Sequence, residues 1–490
     1  MKKLLIVIST VVSLSTQAQK NVFLDQTFWQ TKPDVSQVKS EIEKGNSPSQ
    51  LNFMSMDPVV LAINSQAPNE TVKFLLDQKG NDVKKLTHDG RTYLFWAASK
   101  GNTEIMEYLL QKGADVKVQD SHGYTPLTFA ATTGQQNTKL YDLLQKNGAD
   151  FKKDVNHDGA NALLIGVGND KGLALTDYFI SKGVDIKSTD AAGNTAFNYA
   201  ARSGNIENMQ ALIKRGVSFN ENAMLMASQG SRRDATKLEV YQYLESLKIK
   251  PAAIGKGGEN VLHNIARKPN QKEIIQYFIS KGVDVNKADA EGNTPLMNAA
   301  AMNRDTATLA LLLSKTKNIN QANNKGATAL ALAVGNNSEA VVRYLIDKGA
   351  SLNVVDKNGD NLAAYLLQAY QPRTLEDFAA KWKLLEEKGV NLATAQKNGN
   401  TLYHLAVLKN DLSLLKRFES LKIDINTRNS EGLTALHKAA MVSKDDAILK
   451  YLVSLGAKKD VQTNFKETAF DLATENEFLA KNKVSVDFLK

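Results

Sequence analysis

Apolar residues along this chain fall into short clusters that alternate between two kinds. One kind centres on an alanine pair, as at Ala130-Ala131, Ala299-Ala300 and Ala439-Ala440. The other follows about a dozen residues later and centres on a Leu-Leu or Tyr-Leu pair, as at Leu143-Leu144 and Tyr451-Leu452, with Gly-Ala close behind (Gly148-Ala149, Gly456-Ala457). Clusters this short, separated by polar residues, predict pairs of short helices. Paired alanines let two antiparallel helices approach closely, and the leucines fill the space between one pair and the next. A second glycine series marks the period. Gly90, Gly123, Gly159 and Gly193 lie 33, 36 and 34 residues apart; Gly258, Gly292, Gly326, Gly359, Gly399 and Gly432 follow at 34, 34, 33, 40 and 33. The 65 residues between Gly193 and Gly258 hold two periods with one glycine missing. A fixed period of this size is the mark of a stacked array.

The text around each glycine explains the elements. Thr or Asn two residues after it supplies a side-chain oxygen to cap the first helix, and Pro, where present, suits the first helical position. The glycine ahead of Ala-Asp or Val-Asp ends the second helix in a left-handed conformation that other residues resist. No such unit can bury its apolar face alone, so stacking creates the core. Asp120-Ser-His-Gly-Tyr-Thr-Pro-Leu127, Asp289-Ala-Glu-Gly-Asn-Thr-Pro-Leu296 and Asn429-Ser-Glu-Gly-Leu-Thr-Ala-Leu-His437 carry the full sentence. At these residues the chain resembles the ankyrin-repeat family, over about residues 34–475; Thr-Pro survives only at Thr125-Pro126 and Thr294-Pro295. The resemblance implies an all-α solenoid of stacked helix-turn-helix units with short β-hairpin tips. The expected domains are a signal peptide at 1–18, an N-terminal segment and capping helix at 19–53, about twelve repeats over 54–462 and a degenerate C-terminal cap at 463–490.

A longer period overlies the first. Phe179-Ile-Ser-Lys-Gly-Val-Asp185 recurs as Phe278-Ile-Ser-Lys-Gly-Val-Asp284, which points to duplication of a three-repeat block of about 100 residues. Two repeats break the pattern. The sixth lacks its turn glycine and carries Gln229-Gly-Ser-Arg-Arg-Asp234; the tenth gains about seven residues around Gln368 to Glu376.

Composition narrows the function. The 490 residues contain no cysteine, which excludes disulfide scaffolds, thiolate zinc sites, iron–sulfur clusters and thiol nucleophiles. The formal charge of +9 is thin over this length and suggests no nucleic-acid partner. Met1-Lys-Lys3, the apolar run to Leu14 and Thr16-Gln-Ala18 read as a secretory leader cut after Ala18, so the expected location is periplasmic or secreted. No later apolar run approaches 18 residues, so no stable membrane insertion is expected.

Catalytic chemistry finds no foothold. His263, His404 and His437 each sit five residues after a turn glycine, where the resemblance implies a bond to a neighbouring loop. His88, His122 and His157 lie just before a turn glycine. None stands four residues from another on a helix, so no metal pair forms. Gly166-Val-Gly-Asn-Asp-Lys-Gly172 has neither the dinucleotide spacing nor a preceding strand, and Gly255-Lys-Gly-Gly258 lacks the Ser/Thr after Lys that a phosphate loop needs. Asp115, Asp150, Asp185 and Asp284 recur at one repeat position and read as loop hydrogen-bonding groups. The expectation is no enzyme, no catalytic residue, no cofactor and no metal. The resemblance implies binding of a protein partner through hairpin tips and the exposed side of the first helices, which line a concave face. The candidate contact residues there are Arg91, Tyr124, Arg202, Met302, Leu433, Met441 and Val442. Trp96, Phe129, Tyr199 and Tyr365 share one helix position and read as packing inside the helix layer. The leading expectation is therefore an exported, monomeric, non-catalytic scaffold. An effector or toxin-system component that binds a foreign target is the alternative, and an enzyme with a site in the irregular loops is the third reading.

Overall fold

Each first helix begins where its capping residue is placed. In the computed structural model, Thr125 Oγ1 accepts from Thr128 N at 3.4 Å and Asn161 Oδ1 from Leu164 N at 3.1 Å. Pro58, Pro126 and Pro295 each stand at the first helical positions. These helices run for five to eight residues, as in Pro126–Thr132 and Leu402–Ala406. The second helices mostly run for eight or nine, as in Thr103–Gln111 and Glu339–Asp347. Isolated helices of this length are marginal in water, so the packed faces hold them. On Pro126–Thr132 the residues Pro126 to Ala131 are all buried. On Thr138–Lys146 only Leu140, Tyr141 and Leu144 are buried, one stripe against the layer.

The structure describes residues 21–230 and 235–490. The leader read at 1–18 lies outside them, as do residues 231–234 of the irregular sixth-repeat segment. Across the described residues, successive helix pairs follow one another from Pro58–Asn64 with Asn69–Leu76 to Ala435–Val442 with Ala447–Ser454. Before them Val35–Glu43 starts at an Asp34 capping box, and after them come Ala469–Thr474 and Glu477–Lys481. The chain divides into two compact units, one up to Ala223 and one from Met224 onward. The architecture is the expected all-α repeat stack. Among the described residues, extended pairing is confined to four isolated bridges at hairpin bases: Val155 with Asn161, Ile254 with Asn260, Ala322 with Thr328, and Val355 with Asn361.

The three histidines at the repeat's fifth position tie neighbouring repeats together. His404 Nδ1 accepts from Thr401 N at 3.1 Å, so the neutral ring carries its proton on Nε2, which donates to the Leu433 carbonyl at 3.0 Å. His437 accepts from Thr434 N and reaches the Val461 carbonyl at 2.9 Å; His263 accepts from Asn260 N and reaches that of Asn293 at 3.0 Å. Burial pushes all three below the ordinary histidine value.

Two measurements check this fold. Gly282 closes its helix at φ +80°, with no atom within 4 Å of an added Cβ, so only backbone strain opposes a side chain. Gly282→Val should cost about 1 kcal/mol or more and Gly282→Asn clearly less, read from urea midpoints. The histidines predict a pH dependence. Below the ordinary value the unfolded chain binds protons that the folded chain refuses, so stability falls as pH drops from about 7 to about 5. The loss over that window should be smaller in His437→Gln than in the wild type.

Candidate functional site

Each hairpin is a five-residue turn closed by its first and fifth residues. Asp120 N donates to the Tyr124 carbonyl at 2.9 Å, and the Asp120 carboxylate accepts from His122 N and Tyr124 N, both at 2.9 Å. Asn156, Asp190, Asp289, Asn323, Asp356 and Asn429 repeat this arrangement. An aromatic residue nine positions on locks the turn to its helix. Trp96 Nε1 donates to Thr87 Oγ1 at 2.9 Å, Tyr199 Oη to Asp190 at 3.0 Å and Tyr365 Oη to Asp356 at 2.9 Å. These aromatics and Phe129 are buried, as their shared position predicted.

The tips are then joined to one another. In the first unit Ser121 N donates to the Asp89 carbonyl, His157 N to that of His122 and Ala191 N to that of Asp158. In the second unit the rungs run from Ala290 to Gly257, Asn324 to Glu291, Lys357 to Lys325, Lys397 to Gly359 and Ser430 to Asn398, at 2.6–2.9 Å. The turns and the exposed ends of the first helices thus form a braced face within each unit. In the second unit this face holds a cleft of about 380 Å³ whose lining includes Glu291, Asn293, Lys325, Leu332, Tyr365 and Gln368. Asp360, also in that lining, has its carboxyl pushed up by burial and by the neighbouring Asp356.

The candidate contact residues fall into different environments. Arg91 departs from the expectation of an exposed tip: it is 8% exposed. Its Nε donates to Asp120 at 2.8 Å, an Nη lies 3.2 Å from Asp89, and its guanidinium sits 4.2 Å from the Phe129 ring centre. The residue after the turn glycine closes the turn and points back into the layer, so Arg91 braces two repeats. Tyr124 shares that position and is half-buried, 6.5 Å from the Phe129 ring. Leu433 is half-buried too, its backbone occupied by Asn429 and His404. Arg202 is exposed in the first unit. Met302 and Met441 end first helices of the second unit at 57% and 49% exposure, and Val442 beside Met441 is half-buried. Met302 Sδ accepts from Arg267 Nε at 2.9 Å.

Titratable groups are committed to the scaffold. Asp115, Asp150, Asp185 and Asp284 each accept from the backbone N–H two residues on, at 2.8–2.9 Å. Fully buried Asp57 accepts from Val60 N at the start of its helix and from Tyr93 Oη, and pairs with Lys85 Nζ at 2.7 Å. Among the described residues no group of three or more His, Asp or Glu is placed to hold a metal ion. No described helix is long and apolar enough to cross a membrane.

Comparison with known proteins agrees with this geometry. The family model described as ankyrin repeats (3 copies) matches residues 59–154, 262–356, 376–463 and 403–486, and that described as ankyrin repeats (many copies) matches 169–213. The chain is 30% identical over 198 residues to alpha-latrotoxin-Lg1a of Latrodectus geometricus, covering 38% of this chain and 14% of the toxin. It is 34% identical over 127 residues to palmitoyltransferase AKR1 of Lachancea kluyveri, covering 25% and 17%. It is 22% identical over 415 residues to human transient receptor potential cation channel subfamily A member 1, covering 84% of this chain and 31% of the channel. The chain therefore spans less than a third of the length of each of these relatives.

One buried charge has no counterpart in the sequence reading. Lys381, in the long second helix Leu375–Glu387, is 2% exposed. Its Nζ donates to the carbonyls of Val334 at 3.0 Å and Asn337 at 2.9 Å and pairs with Asp377 at 3.1 Å. Other repeats fill this place with asparagine: Asn303 Nδ2 bonds the carbonyls of Ala266 and Lys268, and Asn337 Nδ2 those of Ala300 and Asn303. A lysine in a second helix carries no sequence mark of burial, and Lys381 takes the donor role from within its helix. Lys381→Met strands two buried carbonyls, so it should lower unfolding free energy by about 1–3 kcal/mol, measured by urea titration. Lys383→Met, at an exposed neighbour, should cost less than about 0.5 kcal/mol.

Proposed function

The chain belongs to the ankyrin-repeat family, and from that premise we propose that it is a non-catalytic protein-binding scaffold whose contact surface is the face of hairpin tips and first-helix ends. The observation that carries this reading is the pair Met302 and Met441. Both are large, apolar and exposed on first helices whose other apolar side chains are mostly buried. Exposed apolar side chains on a rigid, polar-rimmed face suit a protein contact. Arg202 extends the reading to the first unit. The leader-like first eighteen residues favour action outside the cytosol, in the periplasm or secreted. No nucleophile, acid–base pair or metal cluster among the described residues supports a catalytic reading. The names toxin and palmitoyltransferase do not transfer, because the matched stretches are repeat segments covering 14% and 17% of those proteins.

Charge placed on the face tests the proposal. In Met302→Glu the new carboxylate meets the Arg267 side chain, and in Met441→Glu it points to solvent, so the fold should lose less than about 0.5 kcal/mol. Met441→Glu places an unpaired carboxylate in the interface, at a cost of several kcal/mol, and Met302→Glu replaces an apolar contact by a charged one, so the double variant should lose its partner in crosslinked pull-downs from periplasmic extract. Lys348→Glu, at the exposed end of the second helix Glu339–Asp347, should retain it. The reverse outcome, retention by the double variant and loss by Lys348→Glu, moves the site to the second-helix side.

A further inference from the structure

We infer that the groove between the loops that follow the second helices of repeats nine and ten is a second docking site, shaped for an extended main-chain segment of a partner protein. The groove encloses about 940 Å³, and its lining includes Asn353, Val354, Val355, Gly389, Val390 and Asn391.

The chemistry of its occupant follows from the neighbouring repeats. Asn286, Asn320, Asn353 and Asn426 each stand three residues before the first residue of a hairpin turn. Asn286 Nδ2 donates to the Lys315 carbonyl at 3.0 Å, and its Oδ1 accepts from Lys317 N at 2.8 Å. Asn426 does the same to the Gly456 carbonyl at 3.1 Å and Lys458 N at 2.8 Å. Asn320 Oδ1 accepts from Ser351 N at 2.7 Å. Each of these side chains fastens its loop to the main chain of the next one. By the same register Asn353 would bond the Gly389 carbonyl and Asn391 N, but it bonds neither. The Asn353 amide, the Gly389 carbonyl and the Asn391 N–H have no hydrogen-bond partner among the described residues, and all three residues line the groove. In sequence the extra residues of repeat ten lie between the two loops, and the groove lies beside these three groups.

An extended peptide fits these groups. Its own C=O and N–H answer the Asn353 amide on one wall, and a second pair answers Asn391 N–H and the Gly389 carbonyl on the other. Apolar side chains of that peptide meet Val355, which is 59% exposed, and Val390.

The test uses random 12-residue peptides displayed on phage and selected against the full chain. Enriched peptides are then synthesised and titrated by fluorescence anisotropy. Asn353→Ala should weaken their binding about tenfold or more, since it removes a two-point main-chain contact. Its thermal midpoint should stay at the wild-type value, because the side chain is exposed and makes no bond. Met302→Glu should leave peptide affinity unchanged, which separates this site from the hairpin face. N-methylation of one amide within the peptide should reproduce the loss seen with Asn353→Ala. Enriched peptides that bind Asn353→Ala as tightly as wild type, or that lose binding only in Met302→Glu, overturn the inference. So does a selection that enriches no peptide.

Discussion

A helix pair of this size cannot satisfy its own backbone. The last carbonyls of its first helix point to the end of the pair, the tip amides point along the stack, and neither reaches a partner inside the repeat. Both are answered by the next repeat. Asn208 Nδ2 bonds the Val167 and Asp170 carbonyls, Asn476 Nδ2 those of Ala440 and Ser443, and the tip rungs pair N–H with C=O from one turn to the next. The apolar faces obey the same rule, since Leu-rich stripes such as Leu140, Tyr141 and Leu144 are buried only with neighbours in place. Stability is therefore a sum over nearest-neighbour contacts, and within each unit the inner turns are held from both sides.

That dependence explains why the tenth repeat matters. Its insertion removes the asparagine that elsewhere reaches the preceding repeat's helix end, and Lys381 supplies the donors from a position within the second helix. A buried ammonium is tolerable here because two carbonyls and Asp377 surround it. The ends of the second helices also remain linked, through Lys388 and Asp347 at 2.8 Å. The loops beyond are not, and Asn353 is left facing the groove. The tenth repeat is thus bonded to the ninth at the core, and these loops are left unbonded to each other.

The same economy of neighbours occupies many titratable groups among the described residues. Histidine in this chain is a two-point connector when buried: one ring nitrogen is taken by its own helix cap and the other by the adjacent loop. Aspartate at the turn start accepts from two backbone N–H groups and, at Asp190 and Asp356, from a tyrosine hydroxyl as well.

The sequence by itself determined the fold class, the position of the capping residues and the burial of the aromatic column at Trp96, Tyr199 and Tyr365, and the family resemblance implied the loop bonds of His263, His404 and His437. All of these are local or nearest-neighbour properties, and a repeated text states them many times over. Two kinds of feature were decided only by tertiary structure. The first is the direction of a side chain at a turn: Arg91 follows its glycine like Tyr124, yet Asp120 and Phe129 of the next repeat draw it inward. The second is the consequence of a broken register. Lys381 and Asn353 carry no mark of their own, because an inward lysine and an idle asparagine differ from surface ones only by what an insertion brings near or takes away. Burial and vacancy are relations between segments, and a single repeat's residues do not contain them.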